Sequence, residues 1–183
     1  MLHSCRLSRA ALVSMRGGGQ PQRPPSSHRP DAVLSAWLLS RASLTAALTR
    51  LAAGDLHVEL QRQYRRPLRP AERRLLPQAG RRAVLVRQVR LIGCGQDWVE
   101  ATSLLPLPAL HGWARHLSHI GTRPLGALLF RLRHLQRSEP SVVRTVTGCW
   151  YRHSLFRQGR GCPILVGETF LPALLHRLEQ ETP

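Results

Sequence analysis

The chain is 183 residues long and 43% hydrophobic, and its 27 basic residues, all Arg, outweigh 10 acidic ones to leave a formal charge of +17. That length suits one domain with a single core, and no run approaches the ~18 consecutive apolar residues of a membrane span. The charge resembles the footprint of a nucleic-acid binder, yet the arginines are spread along the chain and an aromatic content of 5% leaves few rings for a stacking platform.

Replacement of Lys by Arg throughout a chain rich in Ala, Leu, Gly and Pro accounts for the excess, so nucleic acid is not the expected partner. Weak binding to polyanions is still expected of such a surface. Cys5, Cys94, Cys149 and Cys162 form no CxxC pair, and the nine histidines contain no HExxH. Neither a zinc site nor a disulfide framework is expected, and isolated thiols fit a reducing compartment, the cytoplasm. His116 and His119 read as an ordinary polar helix face.

Residues 1–30 lack acids and include Gly17-Gly18-Gly19 and a proline-rich stretch from Pro21 to Pro30. They read as a disordered extension, with Met15 as an alternative start. From Asp31, Leu34, Trp37 and Leu38 and then Leu44, Ala47, Leu48 and Leu51 recur at helical spacing, and Asp31 is placed to cap. Gly54 ends these helices. Leu56, Val58 and Leu60 then alternate as in a half-buried strand, followed by a loop rich in Arg and Pro. Residues 83–92 and 98–105 read as a hairpin around Gly93-Cys94-Gly95-Gln96-Asp97.

Residues 108–117 look helical, and Pro124 opens another short helix. Stretches 132–146, 149–156 and 164–170 read as strands, separated by Gly148 and by residues 158–163. Helices placed early and mid-chain among strands joined by short turns predict an α+β fold around an antiparallel sheet.

Four segments, in order, resemble the chorismate lyase family. They are Trp37-Leu38-Leu39 with Ser43-Leu44-Thr45; Val86-Arg87-Gln88-Val89 with Trp98 through Pro106; Gly121-Thr122-Arg123-Pro124-Leu125-Gly126 with Phe130; and Trp150-Tyr151-Arg152-His153-Ser154 with residues 163–172. The resemblance covers about four-fifths of the chain. It implies a lyase domain over 31–176 with a short tail over 177–183. It further implies an antiparallel sheet of about six strands with helices flanking a buried ligand site, a monomer, and no metal or organic cofactor. The implied reaction converts chorismate to 4-hydroxybenzoate and pyruvate, the entry to ubiquinone synthesis.

By the same resemblance Arg87 pairs with the ring carboxylate, Glu168 meets the ring hydroxyl, and the backbones at Leu44 and Leu125 line the pocket. The enolpyruvyl carboxylate needs another cation, for which Arg152 is the first candidate and Arg137 and Arg123 the next. Two positions depart from the family pattern, since Thr102 and His153 stand where relatives tend to carry Arg.

Strand alternation adds a physical reason for the first two assignments. Arg87 shares a face with Leu85, Val89 and Leu91, and Glu168 with Ile164, Val166 and Phe170. A charge on an apolar face needs a partner or a ligand. A guanidinium supplies two parallel charge-assisted hydrogen bonds to a planar carboxylate. A cyclic retro-ene path asks the protein only to orient and desolvate its substrate, which fits a chain without a nucleophile motif.

Overall fold

A computed structural model describes residues 30–181. The expected extension, with Cys5 and Met15, lies outside the described residues apart from Pro30. Two helices come first, α1 (Ala32–Leu39) and α2 (Leu44–Leu51). Each begins on a side-chain cap that fills an amide the first turn leaves open. Asp31 Oδ1 accepts from the Leu34 amide at 2.7 Å, and Ser43 Oγ accepts from the Ala46 amide at 3.3 Å. Gly54, at φ +95°, turns the chain into the sheet.

β1 (Leu56–Pro67) runs well beyond its alternating start. The Arg-rich stretch expected as a loop pairs with β2 as far as Pro67, and a bulge between Leu60 and Arg62 breaks the alternation. Its second half is a largely exposed sheet edge, so no apolar period marks it. α3 (Pro70–Leu75) and a 3-10 turn (Pro77–Ala79) follow. β2 (Ala83–Gly93) and β3 (Gln96–Pro106) make the expected hairpin, closed by Cys94 and Gly95, both at positive φ as a two-residue loop demands.

The helix expected over 108–117 is shorter: α4 (Leu107–Leu110) stops, and a 3-10 turn (Arg115–His119) follows. Between them the Trp113 indole donates to the Cys162 carbonyl at 2.9 Å, tying this connection to the loop before the last strand. α5 (Leu125–Leu129) starts after Pro124 as expected. The strand expected over 132–146 is split into β4 (Leu135–Arg137) and β5 (Ser141–Arg144). Pro140, which has no amide proton to donate, lies between them. β6 (Trp150–Gln158) and β7 (Ile164–Phe170) complete the sheet. α6 (Pro172–Gln180) was not expected, and the boundary placed at residue 176 falls inside it.

The result is an α+β fold with one open antiparallel sheet of seven strands, order β1-β2-β3-β7-β6-β4, with β5 also paired to β6. Register builds parallel rows across the helix-covered face. Leu91 pairs with Val99, Val99 with Phe170 and Phe170 with Trp150; this row packs under α1, α2 and α6. At the other end Leu85, Leu105, Ile164 and Phe156 pack under α4, Leu117, Ile120 and α5. Between these apolar ends lie two rows that the helices do not fill. One is Val89, Ala101, Glu168 and Arg152, and the other is Arg87, Ser103, Val166 and Ser154. On the opposite face Val84, Val86, Leu104 and Leu165 pack beneath Leu68, Leu76 and Ala79. No helix among the described residues is long and apolar enough to cross a membrane.

Two stability predictions follow from this packing. A methyl group added at Gly93 would collide with the buried ring of Trp98. Gly93→Ala should therefore cost about 1–3 kcal/mol, read as a lower urea midpoint with unchanged slope. His153 is buried on the outer face, and burial lowers its pKa below the ordinary 6.5. The unfolded chain then takes up a proton more readily than the folded one, so stability declines as pH falls below about 6.5. His153→Gln should flatten that part of the melting-temperature profile.

Candidate active site

The two unfilled rows open into a cleft of about 530 Å³ including its mouth. Its floor is the sheet, where Ala101 and Ser103 are small enough to leave space above the backbone. One side of the roof is the α1–α2 turn and the start of α2, with Ala42, Leu44 and Thr45. The other is Pro124, Leu125 and Gly126 at the start of α5. Gly126 brings the two sides together, because its Cα carries no side chain against Thr45 and Ser43. Phe130, Phe156, Val58 and Val166 give the walls an apolar lining.

Arg87 enters this cleft from β2 and is only 1% exposed. Its Nη2 donates to the carbonyls of Gly121 at 2.8 Å and Arg123 at 3.0 Å, which fixes the loop leading into α5. Its Nε is buried with no protein partner. Burial pulls the Arg87 pKa down to about 10, which still leaves a full charge at neutral pH. A buried guanidinium with an unused donor and no carboxylate against it is a site for an anion.

Glu168 lines the cleft from β7, one strand beyond β3 and displaced by one pleat from Arg87. Strand spacings put the two Cα atoms roughly 12 Å apart. The Glu168 side chain is 14% exposed, and its Oε2 accepts from Arg152 Nε at 2.6 Å.

Arg152 is placed differently from Arg87. It is 1% exposed and is absent from the cleft lining. Besides Glu168 it serves carbonyls at the end of α1, its Nη1 donating to Trp37 at 2.6 Å, Ser40 at 3.2 Å and Leu38 at 3.3 Å. Arg123 contributes only its carbonyl, and the residue is exposed outside the cleft. The cation that does line the cleft near Glu168 is Arg137, at the end of β4. Its guanidinium lies 5.2 Å from the Phe156 ring centroid, its Nη1 donates to the Ala42 carbonyl at 3.0 Å, and its Nε is buried without a partner. Burial lowers its pKa, against which nearby Glu168 acts. Arg41 closes the same corner, bonding Glu139 at 2.6 Å and the Arg137 carbonyl at 2.9 Å.

The structure thus gathers Arg87, Glu168, Leu44 and Leu125 around one cleft, and sets Arg152 behind Glu168. Thr102 and His153 lie on the opposite face, in the row of Gln88 and Gly167. Arg137, a later candidate in the sequence, lies on a three-residue strand that carries no periodic signal, and the floor residues Ala101 and Ser103 carry no charge or bulk to mark them on β3. Among the described residues no cluster of His, Cys, Asp or Glu is arranged to hold a metal ion.

Comparisons with known proteins meet this geometry. The family model described as chorismate lyase matches residues 22–180. A probable chorismate pyruvate-lyase of Marinobacter nauticus is 38% identical over 143 residues, covering 75% of this chain and 76% of that protein. One of Azoarcus sp. is 39% identical over 175 residues, covering 84% and 90%. Among solved structures, the effector domain of PhnF from Mycobacterium smegmatis superposes with a TM-score of 0.50 at 12% identity, over 72% of this chain and 90% of that one. The C-terminal domain of the histidine utilization repressor from Pseudomonas syringae gives 0.50 at 6% identity, over 64% and 92%. These two likenesses concern the fold. The family match spans the sheet, both sides of the roof and every residue of the cleft, and the chain belongs to the chorismate lyase family.

Proposed function

We propose that this chain is a chorismate pyruvate-lyase that converts chorismate to 4-hydroxybenzoate and pyruvate. The observation that carries the reading is a cleft with the buried Arg87 guanidinium at one end and, at the other, the half-buried Arg137 beside the Glu168 carboxylate. Arg87, Arg137, Arg152 and Glu168 together leave two positive charges, the complement of a substrate with two carboxylates. In this assignment Arg87 holds the ring carboxylate through its unused donor, and Glu168 receives the hydroxyl on the ring carbon para to it. The amides around Leu44 and Leu125 frame the ring, and Arg137 takes the enolpyruvyl carboxylate in place of Arg152.

So held, the enolpyruvyl arm folds over the ring with its methylene near the carbinol hydrogen. That hydrogen passes to the methylene, the ether C–O bond breaks, the enol oxygen becomes the keto oxygen of pyruvate, and the ring gains its last double bond. Atoms and charge balance, since each product leaves with one carboxylate. The side chains contribute orientation and a charge pattern fixed before the reaction. By family resemblance the protein acts as a cytoplasmic monomer supplying 4-hydroxybenzoate to ubiquinone synthesis.

Incubating the protein with chorismate and following both products tests the reading; a folded protein that forms neither overturns it. Arg87→Ala should weaken 4-hydroxybenzoate binding by about 1.5–3 kcal/mol, the range of a hydrogen bond to a charged group, measured by calorimetry. Arg137→Gln should separate substrate from product. Its KM for chorismate rises about tenfold or more while 4-hydroxybenzoate, which lacks the enolpyruvyl arm, loses under about threefold in affinity. Equal losses for both ligands would remove Arg137 from the enolpyruvyl subsite.

A further inference from the structure

The geometry points to Arg152 as a positioning residue. We infer that it acts on the reaction only through Glu168, and touches no substrate. This rests on the functional reading above. Arg152 stands directly opposite Glu168 in the β6–β7 register, and its Nε holds Oε2 of that carboxylate at 2.6 Å. The carboxylate lies between the guanidinium and the cleft, because Glu168 lines the cleft and Arg152 does not.

The same guanidinium reaches the end of α1, where the last turn contains no basic residue of its own. Unsatisfied carbonyls collect partial negative charge at a helix C-terminus. Arg152 Nη1 supplies the cation there, bonding Trp37, Leu38 and Ser40. Two residues beyond Ser40 the chain becomes the roof of the cleft at Ala42, Leu44 and Thr45. The guanidinium that orients Glu168 is thus itself held in place by the end of α1. Phe170 packs against the guanidinium, 5.4 Å from its ring centroid, and keeps it from swinging. Lys has the charge but lacks the planar fork that serves both sides at once.

The test is a double-mutant cycle on the full chain, combining Arg152→Gln with Glu168→Gln and reading kcat, KM for chorismate and the Kd of 4-hydroxybenzoate for all four proteins. With Glu168 present, Arg152→Gln should lower kcat on the order of tenfold or more. With Glu168→Gln in place it should change kcat and product Kd by less than about threefold, the non-additivity expected of contacting residues. A residue that merely supports the fold would lower activity equally in both backgrounds, and that outcome overturns the proposal. So does a rise in KM on removing Arg152 from the Glu168→Gln protein, which would mean direct contact with substrate.

Because removing one member of a buried pair can unfold a protein, Arg152→Lys is the second variant. It should retain the folded state and show the kcat loss without a matching rise in KM. Wild-type activity on chorismate is measured alongside. If it is present and the cycle is additive, only the role of Arg152 falls; if wild type neither turns over chorismate nor binds 4-hydroxybenzoate, the functional reading falls and takes this one with it.

Discussion

Arg152 and Glu168 pair across two neighbouring strands in the polar middle of a sheet face whose ends are apolar, and much of the site follows from that contact. Desolvating two charges is expensive, and their attraction offsets the cost only when geometry is good and the remaining donors are used. Here Nη1 goes to carbonyls at the end of α1, while Nη2 is buried without a protein partner, so the first helix is anchored by the same guanidinium that orients the carboxylate. Arg87 repeats the arrangement from β2, using one nitrogen to fix the loop before α5. Each side of the roof is thereby tied to a guanidinium rising from the floor.

The apolar ends of the sheet face explain why the middle can be polar. Leu91, Val99 and Phe170 at one end, and Leu85, Leu105 and Ile164 at the other, are closed by helices. Those packed ends supply the hydrophobic stabilisation. The two middle rows are then free to carry Arg87, Glu168, Ala101 and Ser103, a combination that would weaken a sheet if it occurred throughout.

Much of this was legible in the residues. The faces of β2 and β7 followed from period two alone, and each placed a charge among Leu, Val and Ile, where a charge demands a reason. The hairpin was marked by Gly93-Cys94-Gly95, and α1 by Asp31. What escaped reading had weak local signals. The second half of β1 is an edge with few buried residues, and the short strands β4 and β5 are too brief for any period. α6 follows β7 with only Leu171 between them, and the boundary expected at residue 176 cuts through it, although Pro172 is a favoured residue in a first helical turn. Arg152 was legible only in part: a buried cation needs a partner, but only the register shows that Glu168 stands directly opposite it.

The long edge strand β1 bears on how copies of the chain meet in solution. Its outer side offers unpaired backbone groups, the usual route by which sheets grow from one molecule into the next. Arg62, Arg65 and Arg69 are exposed along and just beyond it, and Glu72, the acid nearest in sequence to Arg69, is buried against Arg66. Two such edges brought together would set rows of like charge a strand's width apart. The arginine excess thus acts here as a barrier to sheet extension, and its strength should fade as salt screens the charges.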